Sequence, residues 1–174
     1  PIDSLKSLRN DCFSVSNTFV MDGSNFVLQV GDGISYEILA DFDLKNTTAQ
    51  NFGFALRCNG QKKVLLEVDL NKRNLTLNRT YADVYSASSR VRSCPLKSAG
   101  TETLILHIFV DTLSVEVFTD DGRTTMSCNI YPFKDNEGAF FYAKNGCVKI
   151  NQLKAWGLSA SMRTKCKTLN GDCK

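Results

Sequence analysis

Leu106-His107-Ile108-Phe109-Val110-Asp111-Thr112-Leu113-Ser114-Val115-Glu116-Val117-Phe118-Thr119-Asp120-Asp121-Gly122-Arg123-Thr124-Thr125 is the stretch that decides the fold. Leu106, Ile108 and Val110 recur every second residue, the period of a half-buried strand. Val115, Val117 and Phe118 add the β-branched and aromatic side chains that suit a pleated surface. Asp121-Gly122 between two alternating runs predicts a hairpin, because a tight primed turn requires positive φ at its centre. The stretch therefore predicts a meander of strands that runs on to Cys128.

The same period extends through most of the chain. Tyr36, Ile38, Ala40 and Phe42 share one face of an expected strand, and Phe52-Gly53-Phe54-Ala55-Leu56 follows after a polar turn. Residues 63–70, then 74–80, where Leu75 and Leu77 alternate with Thr76 and Asn78, give two further strands. A Ser-rich loop is expected over 85–100. Residues 104–110, 126–130, 139–143 and 148–158 complete the series. Only residues 1–9 look helical, as one or two turns bearing Leu5 and Leu8. Short strands separated by Gly, Asn and Asp turns predict an all-β fold, a sandwich or barrel.

Composition sets the bounds. The 174 residues fit one domain. Hydrophobic residues at 43% and charged residues at 22% are ordinary globular usage, which argues against disorder. A net charge of +3, with Lys and Arg scattered, lacks the basic stripe of a nucleic-acid binder. No apolar run reaches the roughly 20 residues that cross a bilayer, so no membrane partner is expected. The start Pro1-Ile2-Asp3 carries no signal-peptide pattern and reads as a cut end. Residues 1–160 form the expected domain. Residues 161–174 have no core pattern and read as a tail that Cys166 and Cys173 could staple.

Seven cysteines (Cys12, Cys58, Cys94, Cys128, Cys147, Cys166, Cys173) occur without any C-x-x-C pair, and His107 is the single histidine. A Cys/His zinc site lacks its usual spacing, so no metal or other cofactor is expected. Disulfides in an oxidising compartment are the expected reading, with buried small apolar side chains as the alternative. Three sequons, at Asn46, Asn74 and Asn78, join the cysteines in favouring secretion.

The quoted stretch resembles the signature of the C-terminal β-sandwich in glycoside hydrolase family 32, the invertases, inulinases and levanases. That signature is an apolar strand, V-D, then S-V-E-V-F and a polar turn with D-G, here Val110-Asp111, Ser114 to Phe118 and Asp121-Gly122. Ile130-Tyr131-Pro132 and Ile150-Asn151-Gln152-Leu153-Lys154-Ala155-Trp156-Gly157-Leu158 are also similar, as is the opening Pro1-Ile2-Asp3-Ser4-Leu5-Lys6-Ser7-Leu8-Arg9. The resemblance spans about residues 1–158. It implies a two-sheet antiparallel β-sandwich of the concanavalin/lectin-like jelly-roll type. It also implies a non-catalytic part, because the family's acidic pair sits on a separate propeller marked by N-D-P-N-G, R-D-P and E-C blocks, and this chain has none of them.

Relatives of this sandwich hold terminal fructose of levan or inulin, so a fructose-containing sugar and a family 32 propeller are the implied partners. The implied sugar-binding residues are Glu116 first, with Asp120, Asp121 and Arg123 beside it. Carboxylates accept hydrogen bonds from paired hydroxyls, and arginine donates to sugar oxygens. Each also has a plainer role: Glu116 solvated on a strand, Asp120 and Asp121 forming the turn, Arg123 pairing across the hairpin. Trp156, Phe140, Phe141 and Tyr142 are expected in the core and His107 at the surface, while Tyr81 and Tyr85 are freer to stack on a sugar. A purely structural sandwich, or a secreted cysteine-rich protein sharing only the fold, stays open beside sugar binding.

Overall fold

The computed structural model describes residues 3–82, 90–97, 102–132 and 137–159. A 3-10 turn over Asp3–Leu8 leads into twelve strands: β1 (Arg9–Met21), β2 (Asn25–Val27), β3 (Tyr36–Asp43), β4 (Asn51–Asn59), β5 (Lys62–Asp69), β6 (Asn74–Asn78), β7 (Val91–Pro95), β8 (Thr103–Val110), β9 (Ser114–Thr119), β10 (Thr124–Asn129), β11 (Gly138–Lys144) and β12 (Cys147–Leu158). They form two six-stranded sheets. Sheet A runs β1-β12-β3-β8-β9-β10 and sheet B runs β2-β11-β4-β5-β6-β7. Every strand pair within them is antiparallel. The expected β-sandwich is the observed one.

The core lies where the alternating residues of both sheets meet. From sheet A come Tyr36, Ile38, Ala40 and Phe42 of β3 and Leu104, Leu106, Ile108 and Val110 of β8, all buried. Sheet B answers with Phe52, Phe54, Leu66, Leu75, Leu77 and Phe141. Phe42 sits at the crossing point: its ring centroid lies 4.9 Å from that of Phe52, 5.5 Å from Phe141 and 6.4 Å from Phe54.

One end of the sandwich is closed by Arg57, which is 3% exposed and holds a left-handed φ of 48° at a β4 bulge. Its backbone N–H donates to the Tyr36 hydroxyl at 3.1 Å. Its guanidinium reaches the carbonyls of Ile34, Asp111 and Thr112 at 3.4–3.5 Å. A sheet B residue thereby satisfies backbone acceptors that flank sheet A strands.

Several expectations need correction. β1, thirteen residues long, was not anticipated, because as an edge strand it buries only Val20 fully and leaves even Phe19 and Met21 exposed, so no apolar alternation marks it. β7 lies inside the stretch expected to be loop; its burial pattern is almost wholly exposed, so no alternation marks it. The expected two-residue primed turn is instead a four-residue connection with a 3-10 turn over Asp120–Gly122, since Thr119 pairs with Thr124. Positive φ falls on Asp120 (43°) and Gly122 (91°).

None of the five described cysteines is disulfide-bonded: Cys12, Cys58, Cys94, Cys128 and Cys147 are free thiols on five different strands. Cys128 is buried, as the small-apolar reading has it, and burial pushes the Cys58 thiol up to about 12. Cys166, Cys173 and the proposed tail lie outside the described residues.

Candidate functional site

The hairpin of β9 and β10 carries the candidates read from sequence. Inward Val115 and Val117 anchor β9, so Ser114, Glu116 and Phe118 point outward from sheet A. Glu116 stands between Phe109 of β8 and Ser127 of β10 in register. It is exposed and makes no hydrogen bond or ion pair with a described residue. The rings of Phe109 and Phe118 meet edge-on at 6.3 Å beside it, both half-buried.

Asp120 is committed elsewhere. Its Oδ1 accepts the Ile105 N–H at 2.9 Å, while Oδ2 is buried with no donor among the described residues. The carboxylate therefore tethers the hairpin to β8 and is closed to a ligand. Asp120→Ala is expected to cost about 1–2 kcal/mol by stranding that amide, read as a shift in the urea midpoint. Arg123 is exposed, its backbone N–H bonded to Thr119 O at 2.9 Å, and its side chain pairs with no carboxylate among the described residues. The Asp121 side chain lies outside the described residues. Glu116 sits three positions before the strand end, about 10 Å from the turn at ~3.3 Å per residue. The candidates thus share one surface without converging on one point. Tyr81 is exposed, and Tyr85 lies outside the described residues.

The strongest electrostatic feature of this face was not read from sequence. Glu37, on the outward side of β3, has a side chain only 1% exposed. Arg9 grips it with two bonds, Nε to Oε2 at 2.7 Å and Nη2 to Oε1 at 2.6 Å, and His107 Nε2 lies 2.5 Å from Oε1. The Arg9 guanidinium also stacks on Trp156, 3.9 Å from its ring centre. Burial alone would raise the Glu37 carboxyl. The hydrogen bonds and charges of Arg9 and His107 outweigh it and hold the group near 2.

Trp156 is consequently an outward residue and not part of the core. β12 takes an extra residue against β3 between Ile150 and Gln152, so Val148 and Ile150 face inward before the bulge and Leu153 and Ala155 after it. Trp156 is left on the outer face. His107 faces outward as expected, but is half-buried and engaged. Of the three neighbouring aromatics, Phe141 is in the core, whereas Phe140 and Tyr142 cover the outer side of sheet B.

Among the described residues no group of three or more His, Cys, Asp or Glu side chains could hold a metal. No described helix is long and apolar enough to cross a membrane.

Residues 4–157 match the family described as "Glycosyl hydrolases family 32 C terminal". The chain belongs to glycoside hydrolase family 32. Within that family it is the non-catalytic sandwich module, catalysis residing in the N-terminal propeller. The family 32 module is 30% identical over 183 residues to a levanase of Bacillus subtilis, covering 98% of this chain and 27% of that protein. It is 35% identical over 127 residues to a sucrose-6-phosphate hydrolase of Zymomonas mobilis, covering 70% of this chain and 24% of the relative. It thus spans about a quarter of the length of these relatives. The exo-inulinase structure from Aspergillus awamori superposes with a TM-score of 0.81 at 25% identity, over 91% of this chain and 32% of that one. Fructan 1-exohydrolase IIa of Cichorium intybus, with a TM-score of 0.78 at 16% identity over 91% of this chain and 37% of its own, shares the fold.

Proposed function

We propose that the module is the accessory sandwich of a fructan- or sucrose-splitting enzyme, and that its sheet A face holds terminal fructose units for an attached propeller. The relatives are named for levan, inulin and sucrose 6-phosphate chemistry, which supplies the substrate class. The observation that carries sugar contact is Glu116, an exposed and unpartnered carboxylate flanked by the Phe109–Phe118 edge-on pair. A carboxylate accepts from two sugar hydroxyls, and neighbouring rings shield those bonds from water. Arg123, exposed at the turn, would contact a following unit. Secretion belongs to the same reading: Asn46 is an exposed sequon on a turn, and one relative is an extracellular exo-inulinase.

Titration calorimetry of the folded chain with levan and inulin tests this. Weak binding, micromolar to millimolar, is expected. Glu116→Ala should weaken it about tenfold or more, as loss of a charge-assisted bond implies, with an unchanged circular dichroism spectrum. No heat from either fructan with folded protein would reduce the module to a structural support for the propeller.

A further inference from the structure

The outer side of sheet B bears a second feature that the hairpin face does not explain. β4 is buried on both sides, and its outward Ala55 is 0% exposed between its register neighbours Phe140 and Leu65. Covering β4 accounts for those two side chains. It does not account for what stands next to them. In register across the sheet run Asn25, Tyr142, Gly53 and Glu67. Gly53 admits no side chain, because a Cβ there would lie 1.9 Å from the Leu66 carbonyl oxygen. The space above it is crossed instead by the Tyr142 hydroxyl, which donates to Glu67 Oε2 at 3.1 Å. Lys144 Nζ donates to the same oxygen at 2.6 Å.

Glu67 is therefore pre-oriented, 29% exposed, and its Oε1 takes no hydrogen bond from a described residue. Burial and the adjoining carboxylate push the Tyr142 phenol upward, so it stays a donor. Phe140 lies edge-on to Tyr142 at 6.4 Å, with Lys63 Nζ 5.8 Å from its ring centre. Lys63 has no carboxylate partner among the described residues. The turn at Asp22–Gly23–Ser24 and exposed Asn25 bound the far side of an open hollow of about 330 Å³. That volume is at the lower end of small-molecule sites.

An aromatic face, an amide and two ammonium groups around one hollow, with the Glu67 carboxylate fixing Tyr142 and Lys144 from across Gly53, suit a neutral polyhydroxylated ring. The apolar C–H side would lie on Phe140 and Leu65, and the hydroxyls would meet Asn25, Lys63 and Lys144. We propose that this sheet B cleft is a second carbohydrate subsite, separate from the Glu116 face, which takes one sugar ring of a fructan chain. The substrate class rests on the functional reading above; the site does not.

Amide NMR spectra of the 174-residue chain titrated with a short inulin-type oligosaccharide distinguish the two. Signals of Asn25, Lys63, Phe140 and Tyr142 are expected to shift, and Phe140→Ala to weaken that response about tenfold while leaving Glu116-face shifts intact. Asn25→Ala, on an exposed edge strand, gives the same test without touching the packed face and should weaken it about threefold to tenfold. Shifts confined to β9 and β10 would overturn the cleft and leave the functional proposal standing. Shifts confined to the cleft would support it and remove Glu116 from sugar binding. No shift anywhere would overturn both. Displacement of cleft signals by inorganic phosphate but not by sugar would make it an anion site and overturn the proposal.

Discussion

Phe42→Ala is expected to lower the free energy of unfolding by about 4 kcal/mol, within the usual cost of deleting a fully buried aromatic ring. Phe42 is 0% exposed and touches Phe52, Phe54 and Phe141 together. Truncation leaves a hollow between two hydrogen-bonded sheets, which cannot close in without breaking register. For a domain of this size the loss corresponds to a fall in Tm of about 10 °C. Urea or thermal unfolding followed by circular dichroism measures it. A cost below about 1.5 kcal/mol would mean that the aromatic cluster is not the keystone of the core.

Glu37→Gln is expected to cost about 3 kcal/mol, because it leaves Arg9 facing a neutral partner in a buried setting. The pH dependence has a definite sign. Glu37 titrates near 2 in the folded chain, against an ordinary 4.5. Unfolding therefore takes up a proton between those values, and the contribution is complete above about 4.5. It drains away as pH falls toward 2. The gap between wild type and Glu37→Gln should be widest at neutral pH and markedly narrower at about pH 3. A gap that holds constant across that range would show that the carboxylate's charge contributes nothing.

Much of the sandwich was legible because its central strands obey a strict alternation. The β3 and β8 residues predicted to share a face are all in the core. Legibility failed where alternation lost its meaning. At the edges, β1 and β7 face water on too many positions to leave an apolar stripe. In β12 a single inserted residue reverses the parity, so Trp156, expected in the core, lies on the outer face. Glu37 was invisible for another reason. An outward glutamate between Tyr36 and Ile38 looks solvated, and its partners Arg9 and His107 stand 28 and 70 residues away. Of the site candidates, Glu116 is solvated on its strand, as its plainer role has it. Asp120's bond to Ile105 depends on how the hairpin folds back, which no local pattern encodes.

Arg57 has a consequence for how the domain comes apart. With its cation seated among carbonyls next to β3, β8 and β9 while its backbone belongs to β4, neither layer can peel away without exposing a buried charge to a half-empty cage. The slowest-exchanging amides of both layers should accordingly report a single opening event with one common free energy, instead of a soft layer and a hard one.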